Sequence, residues 1–345
     1  MSLKVTHFAR RPTSGAFSIE RVFADVRSAM PAHVRITEQR NAHLSRGILA
    51  RLCDAWRARR HVADVNHVTG DVHYLAYFLP KARTVLTVHD TVMVDRARGL
   101  KRTLLWFFWF WLPARRVRWM TTISEETKRR LLGMISFDPD RVVVIPNPVS
   151  SDFAPSPLSP RKGEFRLLHI GTKANKNLER LIPALAGLDV ELTVLGPMTE
   201  RQKALIAEHR ISCRALQGLD DDGLRAEYAR AEALVFVSLD EGFGLPIVEA
   251  QASGRPVITS DRPPMSEVAG DGALLVDPED AAAIRAAVTR LAADSDLRRD
   301  LADRGVRNAE RYSARTIACA YADLYARVAG EKAYRGPRSH GEPAQ

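Results

Sequence analysis

The chain has 345 residues, of which 46% are hydrophobic and 27% are charged, and this balance excludes a disordered protein. Its 51 basic residues against 41 acidic ones give a net charge of +10. That charge favours anionic partners such as nucleotide phosphates, nucleic acid or anionic lipid, although arginines on solvated faces would give the same number.

Cysteine usage and the terminal segments predict the compartment. Cys53, Cys213 and Cys319 lie far apart and share no metal-ligand spacing, which is typical of a reducing environment. The first residues lack the apolar run of a secretory signal, and no run approaches the roughly 18 apolar residues of a membrane span. We therefore expect a cytoplasmic protein, either free or peripheral on the inner face of the cell membrane.

The N-terminal half alternates short apolar strands with helical patterns. Helices are predicted over about 18–29 and 44–60, and in most of the other gaps between strands. Such alternation is typical of βαβ units on a parallel sheet. The predicted strands are 3–8, 33–38, 63–68, 82–90, 118–124 and 141–146.

A segment rich in proline and serine, 151–164, interrupts the alternation and is predicted to be a linker. The alternation then resumes, ends with three helices over about 278–329, and leaves a polar tail, 331–345, that we expect to be disordered. The chain therefore predicts an α/β protein with two doubly wound, Rossmann-like domains, 1–150 and 165–330, facing across a cleft. The second set of predicted strands is 165–171, 190–196, 212–216, 232–238, 255–260 and 272–277.

Two carboxylates flank a glycine-rich loop in the stretch SLDEGFGLPIVEA, residues 238–250. Glu241 follows a predicted strand, Gly242 and Gly244 allow the backbone to bend tightly, and Glu249 lies in the first turns of a predicted helix. The start of a helix favours phosphate, and a carboxylate accepts hydrogen bonds from vicinal hydroxyls. The pattern indicates a nucleotide-sugar, whereas Glu249 alone would equally suit an ion pair on a solvated helix face.

A second strand-end loop carries positive charge. Gly171 and Lys173 follow the predicted strand 165–171, and Lys176 and Asn177 lie at the next helix start. Lys176 is well placed to neutralise a diphosphate.

These motifs together resemble the retaining glycosyltransferases of family 4, which have the GT-B fold. The resemblance rests on E-x7-E in EGFGLPIVE, on the loop GTKANKN, on SEVAGDGALLVDP and on IPNPV near residue 147. It covers nearly the whole C-terminal half and, more loosely, the N-terminal half. Thr172 stands where many members carry an arginine, with Lys173 beside it.

The resemblance implies roles for particular residues. Glu241 is similar to the carboxylate near the donor sugar hydroxyls, Glu249 to the ribose ligand and Lys176 to the phosphate clamp. In VLTVHD, His89 resembles a histidine beside the reacting sugar, so His89, Glu241 and Lys176 form the implied catalytic set. The implied donor-binding residues are Gly15, Gly171, Thr172, Lys173, Asn177, Gly242, Phe243, Gly244, Leu245 and Glu249.

The implied reaction transfers a hexose from a UDP- or GDP-linked donor to a glycan or polyprenyl-linked glycan, with retained configuration, in cell-surface polysaccharide synthesis. The resemblance implies no metal and no cofactor, a nucleotide-binding C-terminal domain and an acceptor-binding N-terminal domain. His67 and His73, near another strand end, suit a structural or acceptor-positioning role.

Two other functions remain as alternatives: a nucleotide-sugar epimerase or hydrolase on the same fold, and a non-enzymatic binder of anionic ligands. Nucleic acid is not expected as a partner, because the basic residues are scattered and the sequence has no RNA-binding aromatic motif or zinc finger. A nicotinamide dehydrogenase is excluded because GFGLPI has Ile247 where the dinucleotide fingerprint needs glycine.

The segment 101–119 packs three tryptophans and three phenylalanines into six consecutive positions between basic residues. Two interpretations are open. The segment is either a helix with its aromatic face in the core, or an interfacial contact with an anionic membrane through Trp106, Trp109 and Trp111.

Overall fold

The computed structural model describes residues 2–11, 18–43, 47–157 and 163–330, so the predicted tail lies outside the described residues. The chain divides into two compact units. Unit 1 runs to Ile123, continues over Thr127–Ile145 and ends with the described residues from Arg315. Unit 2 comprises Ser124–Glu126 and Pro146–Ala314.

Unit 1 is built on a six-stranded sheet in which every neighbouring pair is parallel. The strand order is β2-β1-β3-β4-β5-β6, so the direction of winding reverses between β1 and β3. The strands are β1 (Leu3–Ala9), β2 (Val34–Arg40), β3 (Val65–Val68), β4 (Thr84–Val88), β5 (Trp119–Thr122) and β6 (Val142–Val144).

Helices cover both faces of this sheet. Successive residues of β4 enter different apolar clusters, Val85 one and Leu86 the other, as expected for a strand buried on both sides. A 3₁₀ segment, His73–Phe78, and a π-helical turn, Phe107–Trp111, belong to the cluster that contains Leu86. The helices before the unit 2 sheet are α1 (Ser18–Ser28), α2 (Ile48–Ala58), α3 (Val92–Asp95), α4 (Gly99–Trp106), α5 (Leu112–Arg116) and α6 (Glu125–Met134).

The last helix, α14 (Ala314–Ala329), packs on the unit 1 sheet rather than on the C-terminal domain in which the sequence interpretation placed it. Ile317, Tyr321 and Tyr325 recur at helical spacing and pack among residues of β1 and β3. A periodic apolar face shows that a helix is buried, but it does not identify the sheet that it covers.

Unit 2 contains a second parallel six-stranded sheet with the order β12-β11-β10-β7-β8-β9. This is the Rossmann order, in which the first strand, β7, lies beside the fourth, β10, and ligands bind outside the carboxyl ends of these two strands. The strands are β7 (Phe165–Ile170), β8 (Val190–Leu195), β9 (Ser212–Leu216), β10 (Ala233–Phe236), β11 (Val257–Ser260) and β12 (Ala273–Val276).

Four helices of unit 2 begin at side-chain caps. Thr199 and Gln202 form a reciprocal capping box, and Asp220, Asp280 and Asp294 each accept hydrogen bonds from the first turn of a helix. The helices are α7 (Leu178–Ala184), α8 (Glu200–Glu208), α9 (Asp221–Arg230), α10 (Leu245–Ala252), α11 (Met265–Ala269), α12 (Ala281–Ala293) and α13 (Ser295–Ala309).

The predicted fold class, two doubly wound Rossmann-like α/β units, is therefore confirmed. All twelve predicted strands overlap strands of the structure. The strands could be predicted because a strand buried on both faces is a continuous apolar run, whereas an amphipathic helix has apolar residues on one face only.

Candidate active site

The two charged loops of the sequence meet at the switch point of unit 2. The loop after β7 carries Lys176 in a short 3₁₀ turn, and the loop after β10 carries Glu241. Since β7 and β10 are paired in parallel, their carboxyl ends lie at the same edge of the sheet.

Lys176 and Glu241 form an ion pair, with the ammonium nitrogen 2.6 Å from Oε1 of the carboxylate. The side chains are only 18% and 14% exposed. The ammonium also lies 4.6 Å from the centre of the Phe236 ring, within cation–π range. A cation held this far from water is costly without an anionic partner, so a site that holds Lys176 here is suited to negative charge.

Gly171 makes room for Lys176. Its φ is +92°, a conformation that favours glycine, and its N–H donates to the Leu195 carbonyl at 2.8 Å. A Cβ at this position would lie 2.9 Å from Cγ and Cε of Lys176. Any larger residue would therefore displace the lysine stem from the backbone.

Asn175, which sequence reasoning did not single out, joins the two loops. Its carbonyl accepts from the Leu239 N–H at 2.8 Å, and its side-chain amide donates to the Asp240 carbonyl at 3.0 Å and to Glu241 Oε1 at 3.2 Å. These bonds fix the orientation of the Glu241 carboxylate. A polar residue directly before Lys176 in a strand-end loop was the available signal.

Glu249 lies in the second turn of α10 and is almost completely buried. The Tyr228 hydroxyl, from α9, donates to Glu249 Oε2 at 2.7 Å. Burial, and then the neighbouring carboxylate, raise the pKa of Tyr228 well above its ordinary value, so the hydroxyl keeps its proton. Sequence reasoning missed Tyr228, because nothing in a helix 21 residues away indicates which carboxylate it will meet.

The start of α10 has the geometry predicted for the glycine loop. Gly244 precedes the helix with φ +103°, and Pro246 occupies its first turn. The Gly242 carbonyl accepts from the Ser124 hydroxyl at 2.9 Å. Phe243 is buried edge-on against Tyr312 and therefore packs in the protein.

The other predicted residues of the loop after β7 have structural partners. Asn177 adopts φ +63°, and its buried amide donates to the Val237 and Pro278 carbonyls at 3.0 and 2.7 Å. Thr172 is buried, with its hydroxyl donating to the Pro197 carbonyl at 2.6 Å.

Lys173 is exposed and lines a pocket of about 460 Å³, together with Asn177 and Leu239. The pocket is at the same strand-end edge as Lys176. Leu245, the first residue of α10, is half-buried.

In unit 1, His89 follows β4 and is buried, with Nε2 2.8 Å from the Thr69 carbonyl. A carbonyl only accepts, so Nε2 carries a proton. Gly15 lies outside the described residues.

His67 and His73 both have hydrogen-bond partners inside unit 1. His73 Nδ1 donates to the Trp109 carbonyl at 2.7 Å. His67 bonds to the Tyr325 hydroxyl at 2.7 Å and to the Thr87 hydroxyl at 2.7 Å, and complete burial lowers its pKa to about 3.

The aromatic segment is divided between core and surface. Trp109 is buried, which corrects the hypothesis that it contacts a membrane, because its ring fills the core beside Tyr74 and His73. Trp106 and Trp111 are half-buried: the Trp106 indole N–H donates to the Met134 carbonyl at 2.8 Å, and Trp111 stacks on Phe107. The core-helix interpretation therefore holds for Trp109.

Within the described ranges, no group of three or more histidine, cysteine, aspartate or glutamate side chains is arranged to hold a metal ion. Over the same ranges, no helix is both long enough and apolar enough to cross a bilayer.

Comparisons with known proteins agree with this geometry. Two Rossmann-like α/β units are the architecture of the GT-B class of glycosyltransferases. The model of glycosyl transferases group 1 matches residues 152–307, and that of glycosyltransferase family 4 matches residues 5–153. The chain belongs to the family 4 glycosyltransferases and is an enzyme that transfers sugar.

Named relatives are similar over most of the chain. The O-antigen chain mannosyltransferase B of Escherichia coli is 28% identical over 75% of this chain and 73% of its own length. The MMP alpha-(1->4)-mannosyltransferase of Mycolicibacterium hassiacum is 34% identical over 71% of this chain and 66% of its own length. A crystal structure of Anabaena HepE in complex with UDP and glucose has the same fold, with a TM-score of 0.75, 16% identity and coverage of 94% of this chain and 100% of that one.

Proposed function

We propose that the enzyme transfers a hexose from a UDP- or GDP-linked sugar to a glycan or polyprenyl-linked glycan acceptor, with retention of anomeric configuration, in cell-surface polysaccharide synthesis. The observation that carries the proposal is the half-buried Lys176–Glu241 ion pair at the switch point, with Glu249 in the helix that follows the Glu241 loop. A cation paired with one carboxylate, and a second carboxylate in the helix after the glycine loop, suit a ligand that has both a diphosphate and hydroxyls.

The ion pair suggests how the donor is received. A diphosphate oxygen competes with Glu241 for the ammonium of Lys176, and the carboxylate is then available to accept hydrogen bonds from sugar hydroxyls. The side-chain amide of Asn175 continues to donate a hydrogen bond to Glu241 during this exchange. As the sugar–phosphate bond breaks, charge grows on the leaving diphosphate, and Lys176 stabilises it there.

Glu249 and His89 complete the proposed roles. Glu249 binds the two ribose hydroxyls, and Tyr228 holds its carboxylate in place. His89 orients the donor or supports charge, with the proton on Nε2 committed to Thr69. Neither the donor chemistry nor these roles require a metal or a cofactor.

The names of the relatives support the choice of pathway and sugar. One of them is called O-antigen chain mannosyltransferase B, and HepE was solved with UDP and glucose. GDP-mannose and UDP-glucose are therefore the donors to compare. We also propose that the enzyme works in the cytoplasm at the inner face of the cell membrane, where a polyprenyl-linked acceptor would lie.

The proposal is tested by thermal denaturation with UDP, GDP, ADP or CDP. Saturation at about 100 times the Kd stabilises a protein by about 2.7 kcal/mol, which corresponds to a Tm increase of roughly 5–10 °C for a domain of this size. We expect one of UDP and GDP to produce such a shift in the wild type, and a much smaller one in Glu249→Ala and Glu249→Gln. The glutamine variant keeps an acceptor for Tyr228, so it separates ribose binding from loss of folding.

Glu200→Ala is the matched control, because Glu200 is an exposed glutamate in the same unit. Equal shifts in wild type and both Glu249 variants would contradict the assigned site. Turnover of GDP-mannose and UDP-glucose, with the product anomer identified by NMR, then tests the reaction. Donor consumption without any acceptor would favour the epimerase or hydrolase alternative, and binding without turnover would favour the non-enzymatic binder.

A further inference from the structure

Large apolar side chains are exposed on one region of unit 1. Of the twelve such side chains exposed among the described residues, ten lie between positions 48 and 108. Helix α2 presents Ile48 and Leu49, which are 75% and 79% exposed, and Leu52 and Trp56 one and two turns further along. Isolated apolar side chains are normal on a surface, but a contiguous set marks a contact site.

One ring contact and one hydrogen bond connect the exposed face of α2, through residues 77 and 78, to the π-helical turn Phe107–Trp111. The Trp56 ring lies 5.7 Å from that of Phe78, and the neighbouring Tyr77 hydroxyl donates to the Phe108 carbonyl at 2.6 Å. Phe78 and Phe108 are both exposed. We call this set the α2 apolar surface; it consists of Ile48, Leu49, Leu52, Trp56, Phe78 and Phe108.

Positive charge surrounds this surface. Residues 48–61 contain four arginines and one aspartate, and residues 96–118 contain seven basic residues and no acidic one. These two segments carry +3 and +7, as much as the net charge of the whole chain. The single acid, Asp54, is buried with its carboxylate 2.8 Å from His43 Nδ1, so it does not offset the exposed arginines.

The exposed arginines are available to a partner. Arg57, Arg59 and Arg60 are exposed and form no ion pair within the part of the chain that the structure describes. Arg59 lies over the Trp56 ring, 4.5 Å from its centre, and so places its charge at the edge of the apolar face. Aromatic and aliphatic side chains bordered by arginine match the interface of an anionic bilayer, where rings enter the headgroup layer and cations meet phosphate.

We propose that the α2 apolar surface docks the enzyme on an anionic lipid bilayer. The proposal deepens the proposed action at a membrane face and moves the contact from Trp106, Trp109 and Trp111 to side chains that the structure exposes. An acidic protein would complement the charge but would not need so many aliphatic and aromatic side chains in contact with water. The bilayer satisfies both features.

The test is co-sedimentation of the full chain with large unilamellar vesicles, either of phosphatidylcholine alone or with 30% phosphatidylglycerol. We expect binding at least tenfold tighter to the anionic vesicles. Ile48→Ser combined with Leu49→Ser should weaken it at least tenfold, since both side chains are mostly in water and their loss leaves the core intact. Arg59→Glu with Arg60→Glu should abolish the preference for anionic lipid.

The matched control is Leu219→Ser with Leu275→Ser, which removes the two exposed large apolar side chains of unit 2 and should leave vesicle binding unchanged. The nucleotide-induced Tm shift of each variant is measured in parallel. Loss of vesicle binding with an unchanged nucleotide shift supports the docking surface, whether or not the assigned donor proves correct. Unchanged vesicle binding in the Ile48/Leu49 variant, or no binding by the wild type, overturns it. Concentration-dependent self-association that the same variant removes, without vesicle binding, would identify a contact between copies instead.

Discussion

Units 1 and 2 have the same architecture and differ in what they place around it. Both are parallel six-stranded sheets, yet unit 2 holds a half-buried ion pair at its switch point, whereas unit 1 holds a network of neutral histidine, tyrosine and threonine side chains. Exposed large apolar side chains follow the opposite distribution, with ten in unit 1 and two in unit 2 among the described residues. The same fold therefore carries a charged site in unit 2. In unit 1 it carries a neutral polar network and an exposed apolar surface.

The unit 1 network shows how a Rossmann-like sheet can bury polar groups without charge. The Tyr325 hydroxyl bonds to His7 Nε2 at 2.8 Å and to His67 Nδ1 at 2.7 Å, and Thr87 links His67 to Thr121. Burial is the largest cause of the lowered pKa of both histidines. The network stays neutral and ties α14 to β1 and β3.

The largest expected effect is the loss of the cation from unit 2. We expect Lys176→Ala to lower kcat/KM for the donor by about 10²–10³, the range found when one group that stabilises developing negative charge is removed. Lys203→Ala, which removes an exposed lysine of the same unit, is the control and should change kcat/KM less than twofold. The measurement is steady-state release of nucleotide with saturating acceptor.

The comparison between units would fail if a unit 1 core variant had the same effect. His67→Phe keeps an aromatic ring in the network but removes its hydrogen bonds, so it should cost about 1–3 kcal/mol of stability and leave the nucleotide Kd unchanged. A Kd that changes as much in His67→Phe as in Lys176→Ala would mean that the two units do not divide the work in this way.

The sheets and the charged loops at the ends of the unit 2 strands could be predicted from the sequence. Burial on both faces requires continuous apolar runs, and tight turns require glycine, so both are visible in the sequence. Gly171, Lys176 and Glu241 were predicted in this way. The reason for Gly171 was not predictable, because the contact with the Lys176 stem depends on how the loop folds back.

Residues that act across elements escaped the sequence. Tyr228 meets Glu249 only after α9 and α10 pack together, and α14 joins unit 1 through contacts distant in sequence, such as that of Tyr325 with His67, 258 residues earlier. Trp109 failed as a lipid contact for a related reason. A run that is apolar all round does not show which of its rings the neighbouring 3₁₀ segment covers.

Acid should destabilise unit 1 more than unit 2. Unfolded histidine binds a proton below about pH 6.5, whereas folded His67 does so only near pH 3 and folded His169, in unit 2, near pH 4. Between these values the unfolded state holds the extra proton, so stability falls as pH falls, by about 1.4 kcal/mol per pH unit for each such histidine. Unit 1 contains more of them, since His7 and His73 are also buried with lowered pKa.

All five tryptophans belong to unit 1, so their fluorescence reports that unit alone. From pH 7.5 to 5 we expect the denaturation midpoint by fluorescence to fall further than the midpoint by far-UV circular dichroism, which averages both units. His67→Phe should reduce the pH slope of the fluorescence midpoint, and His61→Phe, at an exposed position, should not. Parallel slopes for both probes would contradict the division.

The smallest expected effect concerns how unit 2 holds its second carboxylate. Tyr228→Phe removes the hydroxyl that donates to Glu249 at 2.7 Å and leaves the ring in place, edge-on to Phe153. We expect nucleotide affinity to fall about threefold to tenfold, or about 0.7–1.4 kcal/mol, the range of one ordinary hydrogen bond, with kcat nearly unchanged because Lys176 is untouched. Since the pKa of Tyr228 lies well above its ordinary value, the ratio of the two affinities should stay constant from pH 6 to 9. Tyr312→Phe, another buried tyrosine of unit 2, is the control. A fall in kcat without a change in affinity would mean that Glu249 acts on the reacting sugar rather than on the nucleotide, and the roles of the two glutamates would have to be exchanged.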